Sequence, residues 1–399
     1  MKTIQVGMVG TGWAGAMHAQ SYHRIYGVDF ELRTVCSLDP ELSVFADRHR
    51  FKYICQSADE LISDPLIDVV DIVTPPDTHA GLIKKALAAG KHVICEKPVT
   101  GYFGQSGDKE PIGKVSKEQM LSHVLDEMNE LEEAVKKSGR QFFYAENWIY
   151  SPPFLRASEL VAAKKMKLLQ IRGMTGHKGS HADHAAKWKY NGGGALIRQG
   201  THPVAAALWI KRREAEARGE TVGVASVLCD ASAITGKMGA EERGYLHTRP
   251  FDVEDWAQLI ITFSDGTKAD ITAGDIYLGN VINRLSLYGN QGVLHCNMTP
   301  NNLLDVYFSD EKGIEREHIM EKSDHNIGRQ SALVSEEFIR GYNGELQDFL
   351  ECIAGDREPK SGFALAKETL KVIYTAYLSA ERGETVEMSG RGQNEAVGC

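Results

Sequence analysis

At 399 residues the chain exceeds one average domain, so two domains, each with its own core, are expected. A hydrophobic share of 42% beside 25% charged residues excludes wholesale disorder and fibrous repeats, and a formal net charge of −9 removes the basic footprint that a nucleic-acid backbone requires. The seven cysteines are odd in number and form no CxxC pair, the opening MKTIQVGMVG reads as a strand, and no run of about 18 apolar residues follows; a reducing cytoplasm, no disulfide framework, no metal site and no membrane are expected.

From residue 4 to residue 96 short apolar runs alternate with amphipathic stretches, the pattern of a parallel sheet covered by helices. Strands are expected at 4–9, 32–36, 69–73 and 92–96, with helices at 14–22, 40–49 and 78–89, the last stopped by Gly90. The stretch GYFGQSGDKEPIGK from Gly101 has no periodicity and predicts a long loop, either a lid or an inert surface insertion. A helix at 117–137 and a strand at 141–144 follow. Alternating stretches at 257–263, 268–273 and 284–288, with a turn signal at Ser264-Asp265-Gly266, predict an open, largely antiparallel sheet. An amphipathic segment at 364–380 should return to the first domain. The expected fold class is α/β: a doubly wound parallel sheet over 1–148, an α+β domain with a large, mostly antiparallel sheet over 149–388, and a flexible tail at 389–399.

Gly10-Thr11-Gly12-Trp13-Ala14-Gly15 directly follows the first strand and opens the first helix. In that context GxGxxG is the Rossmann fingerprint: one glycine for the tight turn, one for approach of a pyrophosphate, one for close helix packing. A glycine-rich turn without ligand is the alternative. Asp39, at the end of the second strand, suits the hydroxyls of an adenosine ribose and would repel a 2′-phosphate, which favours NAD over NADP; it also suits the cap of the helix that follows.

Further along stand Thr74-Pro75-Pro76-Asp77-Thr78-His79, then Glu96-Lys97-Pro98, then Gly192-Gly193-Gly194 leading to His202. This ordered set, with VEDWAQLIITFSDG from Val253, resembles the Gfo/Idh/MocA family of oxidoreductases over nearly the whole chain. The resemblance implies that Thr74, Pro75, Pro76, His79, Glu96 and Lys97 border the cofactor together with Gly10, Gly12, Trp13, Ala14, Gly15 and Asp39. It also implies a homo-dimer or homo-tetramer and a carbohydrate substrate held by the second domain.

Lys97 leaves a strand at its carboxyl end, where an ammonium can stabilise a developing alkoxide, and His202 offers an imidazole as acid and base. A surface lysine and a structural histidine are the plain alternatives, and the resemblance turns both toward catalysis. Members of the family commonly carry aspartate four residues before this histidine, whereas this chain has Arg198; it either grips a polar or anionic substrate group or pairs with a carboxylate. His177, Lys178, His181 and His184 form a polar stretch suited to substrate recognition, and Glu146, Asn147 and His325 are further candidates.

The leading expectation is an NAD-dependent dehydrogenase acting on a ring secondary alcohol of a sugar, cyclitol or glycoside. The alternative is a redox-neutral, NAD-dependent glycosidase or lyase that oxidises, eliminates, hydrates and reduces again, possibly on an anionic sugar. A nucleotide-sensing module without catalysis is a third, opposed by the presence of both Lys97 and His202.

Overall fold

In the computed structural model of the protein, the described residues are 3–180, 182–279, 281–299, 304–315, 319, 325–332 and 334–388; the tail expected at 389–399 lies outside them. The first part of the chain runs β1 (Ile4–Val9), α1 (Trp13–Tyr22), β2 (Phe30–Cys36), α2 (Leu42–His49), β3 (Tyr53–Cys55), α3 (Ala58–Ser63), β4 (Val69–Ile72), α4 (His79–Ala88), β5 (His92–Glu96), α5 (Lys117–Ser138) and β6 (Phe142–Ala145). Its strands form one parallel sheet in the order β3-β2-β1-β4-β5-β6. All four residues of β4 and all four of β6 are buried, as expected of strands covered on both faces. The strand order reverses between β1 and β4, so a ligand crevice opens at their carboxyl ends.

The second part comprises α6 (Pro152–Ala163), β7 (Leu168–Gly176), α7 (Trp188–Asn191), α8 (Thr201–Arg218), β8 (Val224–Ser232), α9 (Ala240–Arg243), β9 (Trp256–Phe263), β10 (Lys268–Gly274), β11 (Ile282–Gly289), β12 (Gly292–Asn297), β13 (Asp305–Phe308), β14 (Gly328–Ser331), α10 (Glu336–Ile339), α11 (Tyr342–Gly355), α12 (Phe363–Arg382) and β15 (Val386–Glu387). Its large sheet has the order β12-β11-β7-β10-β9-β8-β15 and is antiparallel except for the β7–β10 pair. Alternation places Ala257, Leu259, Ile261 and Phe263 of β9 in the core. Leu196–Gly200 forms a π-helical turn that runs straight into α8 and carries Arg198 to the site.

Several elements were not anticipated, β3 and β7 among them. β3 is a three-residue edge strand with Tyr53 and Ile54 exposed, too short to show a period. β7 lies inside the second sheet between β11 and β10, yet its polar Gln170 and Arg172 and two glycines blur the alternation.

The segment at 101–116 is a strut, neither a lid nor an inert insertion. Tyr102 is fully buried and its carbonyl accepts a bond from Trp188 Nε1 at 3.0 Å. The Gly113 amide donates to Asp252 at 2.9 Å, and Tyr374 of α12 accepts from the Tyr102 amide at 2.6 Å while donating to the Gly192 carbonyl at 2.8 Å. The segment, α7 with the glycine that follows it, the loop before β9 and α12 are thereby tied at one seam.

A buried ion cluster holds α8 to the turn between β9 and β10. Lys211, fully buried, lies 2.5 Å from Glu214 and 2.7 Å from Asp265, which Lys167 also contacts. Burial would raise the Asp265 carboxyl, but these two ammonium groups hold it well below the usual range. Lys211→Ala removes the nearest counter-ion of the buried Glu214 and leaves it Arg218 at 3.5 Å, so a loss of about 3 kcal/mol is expected in urea unfolding. A change under ~1 kcal/mol would show that the cluster contributes little.

Candidate active site

The glycine turn between β1 and α1 is shaped by contact on two sides and open on the third. Gly10 has φ +112°, and a Cβ there would lie 2.6 Å from the Val73 carbonyl oxygen; at Gly15 a Cβ would lie 2.8 Å from the Gly10 oxygen. A Cβ on Gly12 would meet nothing within 4 Å, which leaves the close backbone approach that a pyrophosphate uses. The first turn of α1 has neither a side-chain cap nor an acidic residue, so its N–H groups remain for the phosphates. Asp39 is exposed just beyond β2 and accepts from the Glu41 amide at 2.9 Å, which starts the following turn without consuming both oxygens. These residues fit a dinucleotide of the NAD type.

Trp13, Ala14, Thr74, Pro76, Glu96 and Lys97 line a cleft of about 280 Å³ where the two sheets face each other. His79, by contrast, is buried, with Nδ1 2.9 Å from the Pro98 carbonyl oxygen and Nε2 2.8 Å from that of Thr74. Its contribution to the cofactor side is to clasp the loops after β4 and β5.

Lys97 directly follows β5, and the Lys97–Pro98 peptide is cis. Its Nζ donates to the Arg198 carbonyl at 2.7 Å, across the interface between the sheets. Burial lowers its pKa from the ordinary 10.5; Glu96 and Glu146 oppose that shift and Arg198 adds to it. Glu96 accepts from the Lys97 amide at 2.8 Å. Burial would raise its carboxyl too, but His18, Lys97 and His202 hold it below the ordinary carboxylate value.

Beneath Lys97 lies a buried ionic cluster. His18 Nδ1 is 3.0 Å from Asp71 Oδ2, which also accepts from Tyr22 at 3.0 Å, and His18 Nε2 is 3.5 Å from Glu96 and 3.7 Å from Glu345. Burial works against the imidazolium, yet these carboxylates raise the His18 pKa well above its ordinary value. Glu345, fully buried, is pushed well up by burial.

His202 stands in the first turn of α8. Its Nδ1 lies 2.7 Å from Oε1 of the fully buried Glu146, and its ring stacks on Trp148 at 5.7 Å with planes 7° apart. A carboxylate accepts only, so Nδ1 carries the hydrogen and Nε2 is left to exchange a proton in the cleft. Glu146, expected to touch substrate, is in the structure the orienting partner of His202.

Arg198 lines the same cleft, and its guanidinium pairs with Asp275, the arrangement in which this arginine meets a carboxylate of the protein. Asp275 also accepts from Gln199 and lies 3.5 Å from His177 Nδ1. His177 and Asn147 line the cleft, Asn147 with its amide donated to the Arg340 carbonyl at 2.9 Å. Lys178 is buried outside the cleft wall, and its carbonyl accepts the His247 amide at 2.8 Å. His184 is exposed and His325 sits beside β14; neither lines the cleft, because the backbone turns His184 outward and His325 belongs to a separate two-stranded sheet region. His181 lies outside the described residues.

Sequence reasoning missed Asp275, Thr175, Asn283, Arg340 and Tyr342, all part of or braced against this cleft. Asp275 did leave a signal, since it closes the apolar alternation of β10 with a single acid; Arg340 and Tyr342 left none, arriving from the remote junction of α10 and α11. No helix among the described residues is long and apolar enough to cross a membrane.

Comparison with known proteins agrees with this geometry. A family described as an oxidoreductase family with an NAD-binding Rossmann fold matches residues 4–106, and the Gfo/Idh/MocA C-terminal domain matches residues 154–295, together more than half of the chain. The oxidoreductase YrbE of Bacillus subtilis (strain 168) is 30% identical over 161 residues, so the match spans only 40% of either chain. Levoglucosan dehydrogenase of Pseudarthrobacter phenanthrenivorans is 25% identical over 338 residues, 79% of each chain. Among solved structures, GenD2 from gentamicin A biosynthesis in complex with NAD superposes with a TM-score of 0.76 at 22% identity, covering 98% of this chain and 97% of that one, a likeness of fold. With both domains matched in order and the glycine turn shaped for a dinucleotide, the chain belongs to the Gfo/Idh/MocA family of NAD-binding oxidoreductases.

Proposed function

We propose that the protein removes hydride from a ring secondary alcohol of a sugar, cyclitol or glycoside. The observation that carries this reading is the convergence of Lys97 and His202 on one cleft at the carboxyl ends of parallel strands, with Glu146 behind the imidazole and Glu96 beside the amine. The hydrogen-bonding lining of Asn147, Thr175, Gln199 and Asn283 suits a substrate with several hydroxyls, and the likeness to levoglucosan dehydrogenase supports a sugar-type compound.

When bound, NAD supplies the hydride acceptor. One Lys97 hydrogen is committed to the Arg198 carbonyl, which aims the amine and leaves two donors for the substrate oxygen. As the C–H electron pair leaves carbon, the ammonium stabilises the negative charge growing on that oxygen. His202 Nε2 takes the hydroxyl proton, and Glu146 stabilises the resulting imidazolium through Nδ1–H. Stacking on Trp148 keeps the ring in that plane.

His177, 3.5 Å from Asp275 in the same cleft, supports the second reading, redox-neutral glycoside cleavage, because elimination and hydration call for one more acid and base. The exposed cross-strand pair Leu228 and Ile260 supports burial of the second sheet by another copy of the chain, and the buried free thiols suit a reducing cytoplasm.

Four outcomes check these proposals. With a nitrophenyl glycoside, NADH should accumulate while the glycosidic bond stays intact; phenol release without NADH would replace dehydrogenation by cleavage. Glu146→Gln should lower kcat by about 10²-fold or more while NAD affinity, read by calorimetry, holds. Because the Lys97 pKa is lowered and only its protonated form stabilises the alkoxide, kcat/KM should fall with rising pH at a point below 10.5. Lys97→Arg should retain weak activity with that alkaline limb removed, and an unchanged limb would show that another group titrates there.

A further inference from the structure

The cleft beside Lys97 and His202 measures about 280 Å³, small for a space shared by a nicotinamide and a sugar ring, since ligand sites run to about 300–1,000 Å³. A second cavity of about 400 Å³ adjoins it, and Arg198 lines both. The second cavity is walled by two segments of the chain joined through their backbones. The His247 amide donates to the Lys178 carbonyl at 2.8 Å and the Phe251 amide to that of Ala186 at 3.0 Å. A Cβ on Gly179 would fall 2.5 Å from the Thr248 nitrogen, so the two segments are in close contact.

The walls carry two arginines, Arg198 and Arg249, and two aspartates, Asp183 and Asp275. Formal charge cancels, and Asp275 already neutralises Arg198. A phosphate or carboxylate would meet as many acids as bases here, whereas a neutral polyol uses donors and acceptors of both kinds. Two groups hold unspent capacity: among the described residues Arg198 Nε has no hydrogen-bond partner although it is buried, and Arg249 forms no ion pair.

From these observations we infer that the substrate is a glycoside of at least two sugar units, one oxidised beside Lys97 and His202 and a second, uncharged glycosyl unit held in the cavity of Asp183, Arg249 and Asp275. Arg198 stands at the boundary, where the glycosidic linkage would pass. The inference rests on the dehydrogenase reading above and extends it from a ring alcohol to a particular size and charge of substrate.

Matched pairs test it: methyl glucoside against maltose and cellobiose, and methyl galactoside against lactose, each followed by NADH formation with the intact protein. At least one disaccharide should exceed its methyl glycoside by about tenfold or more in kcat/KM, because binding at a remote unit is used at the reacting carbon. In Arg249→Ala that ratio should fall toward one, and Arg249→Lys should restore part of it. Equal kcat/KM within every pair, or a ratio that Arg249→Ala leaves unchanged, overturns the two-unit substrate while leaving sugar oxidation standing. NADH from none of the compounds overturns the oxidation reading itself, and this inference with it.

Discussion

The arrangement of the site depends on keeping a lysine amine half-withdrawn from water between two sheets. An ammonium in such a place loses hydration and must recover it from fixed partners. The Arg198 carbonyl of the second domain accepts its hydrogen bond, and the Glu96 carboxylate of the first acts on it by charge. Arg198 lies in a π-helical turn, and its side chain holds Asp275 beside it. Arg198 therefore meets Lys97 through its backbone carbonyl while its guanidinium pairs with Asp275.

The same logic reaches one layer deeper. Glu96 stays ionised because His18 lies beneath it, and His18 keeps its charge because Asp71 meets its far nitrogen. Alternating signs thus run from the interior of the parallel sheet to the mouth of the cleft. His202 is braced by Glu146, whose charge also reaches Lys97, so the two candidate groups share a carboxylate and their substitutions should couple.

Much of this was legible in the chain. The glycine turn, the strand ending in Glu96-Lys97 and the return of α12 are local signals, a fingerprint, a run of buried strand residues and a helical period. The pairing of Glu146 with His202 was not, because 56 residues separate them and no local pattern encodes which carboxylate a histidine will meet. β7 was lost for the opposite reason: its neighbours in the sheet, and not its own alternation, make it a strand. The polar stretch around 177–184 was recognised as a whole, but only the fold decides that His177 enters the cleft while His184 looks outward.

The seam at 101–116 has a consequence for turnover. Its bonds to Trp188, Asp252 and Tyr374 link the strand that presents Lys97 to the loop that precedes Arg198 and to the returning helix. A hinge-like parting of the two sheets would have to expose Tyr102 and break these bonds together, a cooperative cost that a simple interdomain linker does not carry. A route for the dinucleotide that leaves the seam intact would pass the rim at Gly12, where an added Cβ would meet nothing within 4 Å and the neighbouring Trp13 is half-exposed.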